Sequence, residues 1–349
     1  MAIKKEYTLT ASAELHDLAF SAIRSISLYE AKEHDLDILV DTESNLVVDT
    51  IYGAYEFIQL NSGVRVSIHS NAENSVFVLK DAFVQNLAHF SPGSMPTIQW
   101  SDQKNVGQFP PNFQFTTVES VKRVGRRFIR VCLSVPDLSE YTDHSIHFRL
   151  VLPALNATDI EWPTVKANGS VGWPEGDKLL HRPVYTARSV NTDNGTFDLD
   201  VFLHEGGRVT QWVQNLKVGG QVAIIGPGGG GVPDTKEIHL FADETAYPAV
   251  ARISETLDRN ATGSLTLLTD RNHVGDYDFN VPSSFSIKWV TRDNKGNFNT
   301  LTNEIIDNIG DAYFWYAGEK QDVIATKKLA NDKGVKKENR YIGSYWSKE

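Results

Sequence analysis

The stretch HRPVYTARS, residues 181–189, places an aromatic ring and a hydroxyl side by side between two arginines. The ring of Tyr185 can cover one face of a flat flavin ring system, and the hydroxyl of Thr186 can hydrogen-bond its edge. Arg182 and Arg188 can neutralise a pyrophosphate. These residue types therefore suit a flavin nucleotide, although an ordinary strand with surface arginines has the same composition.

A second stretch, VAIIGPGGGGVPDT at residues 222–235, contains the pattern G-x-G-x-x-G at Gly226, Gly228 and Gly231. This pattern binds a dinucleotide when it follows a strand and opens a helix whose amides hold the pyrophosphate. Here the next residues, VPDTKEIHLF, have the apolar content of another strand. We therefore predict a flexible joint between two domains, and no dinucleotide site, at these glycines.

The residues Asp243, Glu244, Thr245 and Ala246 lie where a predicted strand, EIHLFAD, turns into a predicted helix, YPAVARISETL. Ligands of open α/β sheets bind beyond the carboxyl ends of the strands. We therefore expect Thr245 and the free helix amides to lie at a ligand-binding edge of the sheet. Asp243 and Glu244 could instead be a pair of acid/base carboxylates, or simply the acidic residues that a helix start favours.

The composition is that of a globular protein. The chain has 349 residues, 41% of them hydrophobic, and this length predicts two or three domains. A net charge of −10 without any run of Lys and Arg predicts no nucleic-acid partner.

No apolar stretch reaches the roughly 18 residues of a membrane span, and the N-terminus lacks a secretory signal, so we expect no membrane insertion and a cytoplasmic location. The single cysteine, Cys132, excludes an internal disulfide, and we predict no metal held by the protein.

Strands and helices alternate from residue 237 onward. The predicted strands are EIHLFAD, SLTLLTD, FSIKWVTR, DAYFWYAG and RYIGSYW, and the predicted helices are YPAVARISETL, NTLTNEIIDNIG and DVIATKKLANDKG. This alternation predicts an α/β lobe with a doubly wound parallel sheet over residues 236–349. Residues 113–232 instead contain short strands separated by polar turns, with one short helix, VTQWVQNL, and predict an antiparallel β-barrel.

Residues 1–95 are predicted to form a small α+β domain. GVRVSIHS, residues 63–70, alternates apolar and polar positions as a half-buried strand does. AELHDLAFSAIRSIS and KDAFVQNLAHF have helical spacing, and SVFVL between them is predicted as a short strand. The polar residues, prolines and glycine within 96–112 predict a linker to the barrel. The chain is thus expected to be multidomain.

Seven stretches of the barrel and the lobe, taken in order, resemble the siderophore-interacting proteins, which are FAD-dependent ferric-siderophore reductases of the ferredoxin-reductase superfamily. They are HFRLVLP (147–153), RPVYTARS (182–189), DVFLHEGGRVTQW (200–212), VAIIGPGG (222–229), FADETAYPAV (241–250), WYAGE (315–319) and GSYW (343–346). The resemblance covers roughly residues 115–349, and ADETAYPA is its most specific part. It implies that the barrel binds FAD and that the lobe binds NADPH or NADH. Residues 1–95 resemble a small domain of unknown function that precedes the reductase in some members.

The resemblance assigns roles to individual residues of the strand that contains HRPVYTARS. Tyr185 and Thr186 match the Tyr-Thr pair at the flavin ring and are the predicted catalytic residues. Arg188 matches the arginine that follows this pair. The family has another arginine two residues before the tyrosine, where this chain has Pro183, and Arg182 lies one residue earlier.

Further cofactor-binding residues follow from the same resemblance. His204 matches a histidine that contacts FAD, and Thr210 lies in the segment that corresponds to a phosphate-binding Gly-Pro-Ala-Ser/Thr-x-Trp motif, here GRVTQW. In the lobe, the residues predicted to bind a cofactor are Asp243, Glu244, Thr245, Ala246, Gly318, Glu319, Tyr345 and Trp346.

The implied reaction is hydride transfer from NADH or NADPH to FAD, followed by single-electron transfer to Fe(III) in a siderophore. Oxygen donors hold Fe(II) less firmly than Fe(III), so reduction releases the metal for iron uptake. Ferric siderophores are often anionic, and Arg149, Arg208 and Lys348 are the predicted substrate-binding residues.

Several alternatives remain open at the level of sequence. The chain could be a flavin- or siderophore-binding module without efficient turnover, or a general flavin reductase. Asp270 favours the ribose hydroxyl of NADH and Arg271 the 2′-phosphate of NADPH, so the donor is undecided, and a ferredoxin is a further alternative donor.

Overall fold

The computed structural model describes residues 3–16, 18–34, 36–90, 96–155 and 157–348. By its internal contacts the chain divides into two units. The first unit comprises residues 1–113 and 156–180, and the second comprises residues 114–155 and 181–349.

The first unit is built on an antiparallel sheet and two helices. Its elements are β1 (Leu9–Leu15), α1 (Phe20–Glu33), β2 (Asp37–Asp41), β3 (Asn45–Thr50), β4 (Gly53–Leu60), β5 (Gly63–Ser70) and α2 (Glu73–Phe90). The five strands lie in the order β1-β5-β4-β3-β2. Val64, Val66 and Ile68 of β5 are fully buried, which confirms the alternating strand predicted at residues 63–70.

Residues 75–79, which we predicted to be a strand, lie inside α2. Val76, Leu79 and Phe83 are buried and recur at intervals of three and four, so the apolar pattern that begins there has the helical period. Five apolar residues are too few to distinguish a buried helical turn from a strand. The first helix also begins later than predicted, because Ala13–Leu15 belong to β1.

The described residues 96–112 contain no helix or strand, yet they pack into the first unit. Ile98 and Trp100 are buried in the same apolar cluster as the sheet, and the Trp100 ring meets Phe83 edge to face at 6.0 Å. The segment that we expected to be a linker is therefore anchored by two apolar side chains within a polar run.

Residues 156–180, which we expected to lie in the barrel, also belong to the first unit. They form the short pair β9 (Thr164–Val165) and β10 (Val171–Gly172). Trp100 Nε1 donates to the carbonyl of Asn168 at 2.8 Å, and the Val171 amide donates to Asp81 Oδ1 at 2.8 Å. The predicted domain boundaries stay a prediction.

The first half of the second unit is a seven-stranded sheet with one short helix. Its elements are β6 (Phe113–Val124), β7 (Phe128–Ser134), β8 (His147–Val151), β11 (Val184–Thr186), β12 (Ser189–Asn191), β13 (Thr196–Phe202), α3 (Arg208–Gln214) and β14 (Gln221–Gly228). The strands lie in the order β11-β8-β14-β6-β7-β13-β12. The two edge strands are consecutive in the chain, and the Arg188 amide between them donates to the Asp198 carbonyl at 2.7 Å. The sheet therefore curls into the barrel that the sequence predicted.

The second half of this unit alternates strands and helices. Its elements are β15 (Glu237–Ala242), α4 (Tyr247–Thr256), β16 (Thr262–Thr269), β17 (Ser286–Thr291), α5 (Lys295–Asp307), β18 (Tyr313–Glu319), α6 (Lys320–Asp332) and β19 (Arg340–Trp346). The strands lie in the order β17-β16-β15-β18-β19, and every neighbouring pair is parallel. This doubly wound lobe is confirmed as predicted, and its strand ends meet at one edge of the sheet.

The glycine run after β14 is closely packed and does not form the flexible joint that we expected. A Cβ atom on Gly226, which has a φ of +146°, would lie 3.0 Å from the Phe148 Cβ. A Cβ atom on Gly231 would lie 2.1 Å from the carbonyl oxygen of Asp143. Side chains at these positions would collide with the barrel. Within the described residues, no helix combines the length and the apolar content that crossing a membrane requires.

Candidate functional site

On the barrel, Tyr185 and Thr186 are neighbours on β11, which pairs with β8. The Tyr185 ring is half-buried against the apolar core of the barrel, whereas Thr186 is buried. The antiparallel register places Thr186 opposite His147, and Thr186 Oγ1 lies 3.2 Å from His147 Nδ1, in hydrogen-bond contact. β11 thus holds an aromatic ring and a fixed hydroxyl at consecutive positions.

His147, which we did not predict as a site residue, joins the barrel to the lobe. Its Nε2 lies 3.1 Å from the Tyr345 hydroxyl, and the two rings meet edge to face with centroids 5.5 Å apart. Burial lowers the pKa of His147 to about 4, and the charge of Arg252 acts in the same direction. The imidazole is therefore neutral at pH 7. Pairing the predicted strand HFRLVLP with RPVYTARS would have placed His147 opposite Thr186.

In the lobe, Asp243 organises the carboxyl edge of the sheet. Asp243 Oδ1 accepts hydrogen bonds from the Thr245 amide at 3.0 Å and the Thr245 hydroxyl at 2.5 Å. Asp243 Oδ2 accepts from Trp346 Nε1 at 2.6 Å, and a Cβ atom on Gly318 would lie 3.1 Å from this oxygen. The structure thus brings together the predicted residues of three strand ends. Burial raises the pKa of Asp243.

Glu244 and Glu319 have separate partners at this edge. Glu244 is buried, forms an ion pair with Arg292, and has a pKa that burial raises. Glu319 begins α6: its Oε2 accepts from the Gln321 amide at 2.8 Å, and its Oε1 accepts from the Lys348 amide at 3.4 Å. Because Asp243 holds Thr245 and Glu244 holds an arginine, the geometry does not favour the two carboxylates as an acid/base pair. Ala246 is fully buried where α4 begins.

His204 and Thr210 meet at the start of α3. The His204 amide donates to Thr210 Oγ1 at 3.2 Å. A Cβ atom on Gly207 would lie 2.5 Å from the His204 ring, so a side chain at position 207 would push the imidazole away. The loop before α3 is therefore fixed by the histidine, the glycine and the threonine that we singled out in the sequence.

Three arginines lie on or near the strand pair β8 and β11, to which Tyr185 belongs: Arg149, Arg182 and Arg208. Arg149 is exposed and donates to the carbonyl of Arg182 at 3.1 Å. Arg208 donates to the carbonyl oxygens of Leu152 and Pro153, at 3.4 Å and 3.0 Å. Each of these guanidinium groups carries a positive charge beside the β8 and β11 strands.

Arg188, by contrast, does not join the group around Thr186. Its guanidinium forms a two-pronged ion pair with Glu255 of α4, at 2.6 Å and 2.7 Å, and a 3.3 Å hydrogen bond with the Tyr277 hydroxyl. Tyr277 donates to Asp200, whose side chain also accepts two bonds from Arg130 at 2.7 Å and 2.8 Å. The structure places Arg188 in this buried network between barrel and lobe.

The end of β16 carries the residues relevant to the nicotinamide donor. Asp270 is 51% exposed and lies 3.5 Å from Arg292. Arg271 forms an ion pair with Asp293. Both arginines of this edge therefore already face carboxylates.

The chemistry of these residues fits FAD. The half-buried Tyr185 ring suits the flat flavin ring, and the Thr186 hydroxyl next to it can hydrogen-bond the ring edge. Arg182, two residues before β11, offers the positive charge that a pyrophosphate needs. The set contains a stacking surface, a polar contact and a cationic group, which are the three kinds of contact that a flavin nucleotide requires.

Comparisons with known proteins place the barrel and the lobe in one family. Residues 117–231 match the family model described as the siderophore-interacting FAD-binding domain, and residues 235–349 match the one described as siderophore-interacting protein. The chain is 28% identical over 244 residues to the ferric vibriobactin reductase ViuB of Vibrio cholerae, covering 65% of this chain and 86% of that protein. It is 29% identical over 218 residues to an NADPH-dependent ferric-chelate reductase of Escherichia coli, covering 59% of this chain and 82% of that protein.

Solved structures show the same fold. The siderophore-interacting protein SipS of Aeromonas hydrophila superposes with a TM-score of 0.56 at 22% identity, covering 68% of this chain and 92% of that one. A siderophore utilisation protein of T. fusca superposes with a TM-score of 0.52 at 21% identity, covering 68% and 93%. With the two family models matched over residues 117–231 and 235–349, the chain belongs to the siderophore-interacting protein family and has its FAD-binding domain.

Proposed function

We propose that this chain is an FAD-dependent ferric-siderophore reductase that takes electrons from NAD(P)H and delivers them to siderophore-bound Fe(III), releasing Fe(II) for iron uptake. The observation that carries the proposal is the meeting of Tyr185 and Thr186 of the barrel with Tyr345 of the lobe through His147. This arrangement suits a flavin reductase, because it places the residues predicted to contact the flavin on the barrel beside a predicted cofactor residue of the lobe.

The relatives support the substrate class. The two relatives described above are named for the reduction of ferric vibriobactin and of ferric chelates, and one of the names specifies NADPH. The alignments with this chain cover 86% of the length of the first relative and 82% of the length of the second. The two family models, at residues 117–231 and 235–349, fall on the two halves of the second unit.

The proposed roles of the barrel residues follow from their chemistry. Tyr185 would cover one face of the flavin ring, and Thr186 would hydrogen-bond its edge as the second catalytic residue. Arg182, with His204 and Thr210, would hold the phosphates. Bound FAD would supply acceptance of two electrons from a nicotinamide and delivery of single electrons to iron.

The lobe would position the nicotinamide. Thr245 is held by Asp243, and Trp346 is held by the same carboxylate, so the carboxyl edge has one defined shape. This edge, with Gly318 and Glu319 beside it, is the place at which ligands of open α/β sheets bind.

The ferric siderophore would approach the cationic groups. Arg149 is the best placed of the predicted substrate residues, because it is exposed and lies on β8 opposite Val184 of β11. Arg208 is partly occupied by two backbone carbonyls, and Lys348 follows the strand that carries Tyr345 and Trp346. A positive surface there would attract an anionic chelate to an otherwise acidic protein.

The test is an anaerobic absorbance experiment on the purified protein. The flavin bands are recorded, NADH or NADPH is added, and a ferric siderophore follows together with a dye specific for Fe(II). We expect the flavin bands to bleach with the nicotinamide, and then to return as the dye develops colour.

The other outcomes separate the alternatives. If reduced ferredoxin bleaches the flavin bands but neither nicotinamide does, the electron donor is a ferredoxin. Free reduced flavin leaving the protein would show a general flavin reductase. A protein that binds no FAD after loading would contradict the proposal and favour a siderophore-binding module. The cytoplasmic location stays a prediction, which cell fractionation can check.

A further inference from the structure

His147 is fixed by contacts on several sides. It is the first residue of β8, stands opposite Thr186 of β11, and pairs in register with Gly228 of β14. A Cβ atom on Gly229 would lie 2.9 Å from the imidazole Cδ2. The imidazole therefore occupies the space that the glycine run leaves open, and it has little room to change its orientation.

Both ring nitrogens are engaged with hydroxyls of predicted cofactor residues. Nδ1 lies 3.2 Å from Thr186 Oγ1, and Nε2 lies 3.1 Å from the Tyr345 hydroxyl. The two hydroxyls come from different halves of the second unit, since Thr186 is on β11 of the barrel and Tyr345 is on β19 of the lobe. His147 is therefore the direct bridge between them.

The protonation state makes this bridge directional. Burial and the charge of Arg252 keep the imidazole neutral at pH 7, and these outweigh the backbone of Tyr185, which acts in the opposite sense. A neutral imidazole has one nitrogen that donates and one that accepts. Consequently Thr186 and Tyr345 cannot both donate to His147, and they cannot both accept from it.

We propose that His147 is a positioning residue that couples the hydroxyl orientations of Thr186 and Tyr345, so that Thr186 meets the flavin edge with a defined donor or acceptor polarity. When Nδ1 carries the proton, Thr186 accepts from His147 and its own hydrogen is free to donate elsewhere. When Nε2 carries the proton, Thr186 donates to Nδ1 and offers only its lone pairs. The inference rests on the proposed function, because it presumes a flavin beside Thr186.

The experiment compares His147→Phe with His147→Gln in the full chain. Phenylalanine keeps a ring but removes both hydrogen bonds, whereas glutamine keeps one donor and one acceptor. Each protein is stripped of flavin and titrated with FAD, and the visible spectrum and midpoint potential of the bound flavin are recorded. His239→Gln is the control, because His239 is likewise a strand histidine bonded to a hydroxyl, that of Ser264 at 2.8 Å, although it is half-buried where His147 is buried.

We expect His147→Phe to raise the Kd for FAD about tenfold and to shift the spectrum and the potential. His147→Gln should recover most of the wild-type values, and His239→Gln should equal wild type. A merely structural role would lower stability without changing the spectrum of the flavin that remains bound. If His147→Phe does not fold, Tyr345→Phe removes one hydroxyl alone and should change the ¹⁵N shifts of the His147 ring.

The outcomes distinguish this inference from the proposed function. FAD binding with identical affinity, spectrum and potential in wild type, His147→Phe and His147→Gln would overturn the inference and leave the reductase assignment intact. A wild-type protein that binds no FAD would overturn both. Unchanged His147 ring shifts in Tyr345→Phe would also overturn the inference, because they would show that the bridge does not exist.

Discussion

Burial determines the chemistry of single side chains around the candidate site. It lowers the pKa of His147 and raises the pKa values of Asp243 and Glu244. The cause is the same in each case, since a low-dielectric environment disfavours the charged form. A base is thereby kept neutral, while the rise in the pKa of the two acids is opposed by hydrogen bonds from Thr245 and Trp346 and by the charge of Arg292.

The low pKa of His147 makes the stability of the fold depend on pH. The pKa falls from 6.5 to about 4 on folding, so between these values the unfolded chain binds a proton that the folded chain does not. The free energy of unfolding should therefore decrease as the pH falls from about 6.5 towards 4, by up to about 3 kcal/mol. Denaturant unfolding of wild type and His147→Gln at several pH values checks this. The wild type should lose stability relative to the variant, and parallel pH curves would contradict the assignment.

Tyr185 should contribute to FAD affinity through its ring. Tyr185→Ala removes the stacking surface and should raise the Kd for FAD about tenfold. Tyr185→Phe keeps the ring and is the matched control, which should bind nearly as wild type. Thr210→Ala should also weaken retention, because it removes the acceptor of the His204 amide. Fluorescence titration of the flavin-free protein with FAD measures all three, and equal affinities would count against the placement of the cofactor.

Sequence alone identified some of these residues and missed others for a physical reason. Tyr185 and Thr186 stand out by type and adjacency. His147 does not, because its role depends on the register of two strands whose residues lie 39 positions apart. Arg188 was expected beside a cofactor, yet its described bonds go to Glu255 and Tyr277, whose proximity depends on tertiary packing.

At the scale of elements, the barrel and the lobe are joined by buried polar contacts. β7 and β13 contribute Arg130 and Asp200, and the segment after β16 contributes Tyr277. The side chain of Asp200 is fully buried and is bonded to Arg130 and the Tyr277 hydroxyl. Such a network fixes one arrangement of the strands that it connects.

Asp200→Asn should destabilise the protein strongly. The substitution leaves Arg130 and the Tyr277 hydroxyl without the charge that they bind, and breaking a buried pair costs about 3 to 5 kcal/mol. Asp332→Asn is the matched control, because Asp332 forms an exposed pair with Lys328 one helical turn away and should contribute little. Denaturant unfolding measures both. Similar midpoints for Asp200→Asn and wild type would show that the network does not stabilise the fold.

We predict that the edge of the lobe sheet favours NADH over NADPH. Asp270 can accept a hydrogen bond from a ribose hydroxyl and would repel a 2′-phosphate. Arg271 and Arg292 are already paired with carboxylates, so they offer little free positive charge.

We therefore expect NADH to give the higher kcat/KM, and Asp270→Asn to raise the NADPH-to-NADH ratio about tenfold. Steady-state kinetics with both donors and one ferric chelate measure the ratio. Asp307→Asn is the control. Asp307 lies on the same lobe in an ion pair with Lys333, and its substitution removes the same charge. An equal change in both variants would point to net charge as the cause.

The elements were predictable to different degrees. The lobe was predicted completely because its strands are long, apolar and separated by helices of clear period. The strand predicted at residues 75–79 was wrong, because a helical turn and a strand have similar apolar patterns over five residues. Residues 156–180 have no regular pattern, and contacts such as that between Trp100 and Asn168 determine where they lie.

At the scale of the whole molecule, the first unit depends on two separate parts of the chain. Residues 1–113 form most of it, and residues 156–180 complete it. Phe77 of α2 packs with Val165 and Val171 in one apolar cluster. Neither part retains all of its buried contacts without the other.

Removal of residues 1–113 should therefore expose residues 156–180 to proteases. The shortened chain lacks Trp100, Asp81 and Phe77, which hold this segment. Limited proteolysis with mass spectrometry should show cleavage within 156–180 in the shortened chain and protection in the full chain. Equal protection in both would mean that the segment is ordered by its own contacts.

The split composition of the first unit also constrains the order of events during synthesis. The ribosome completes residues 1–113 first, but the strand pair at Thr164–Val165 and Val171–Gly172 emerges only after β6, β7 and β8 have been made. While the first barrel strands leave the exit tunnel, the N-terminal sheet therefore still lacks Val165 and Val171, which pack against Phe77. The first unit can therefore close only after residues 164–172 have left the exit tunnel, when β6, β7 and β8 are already outside it.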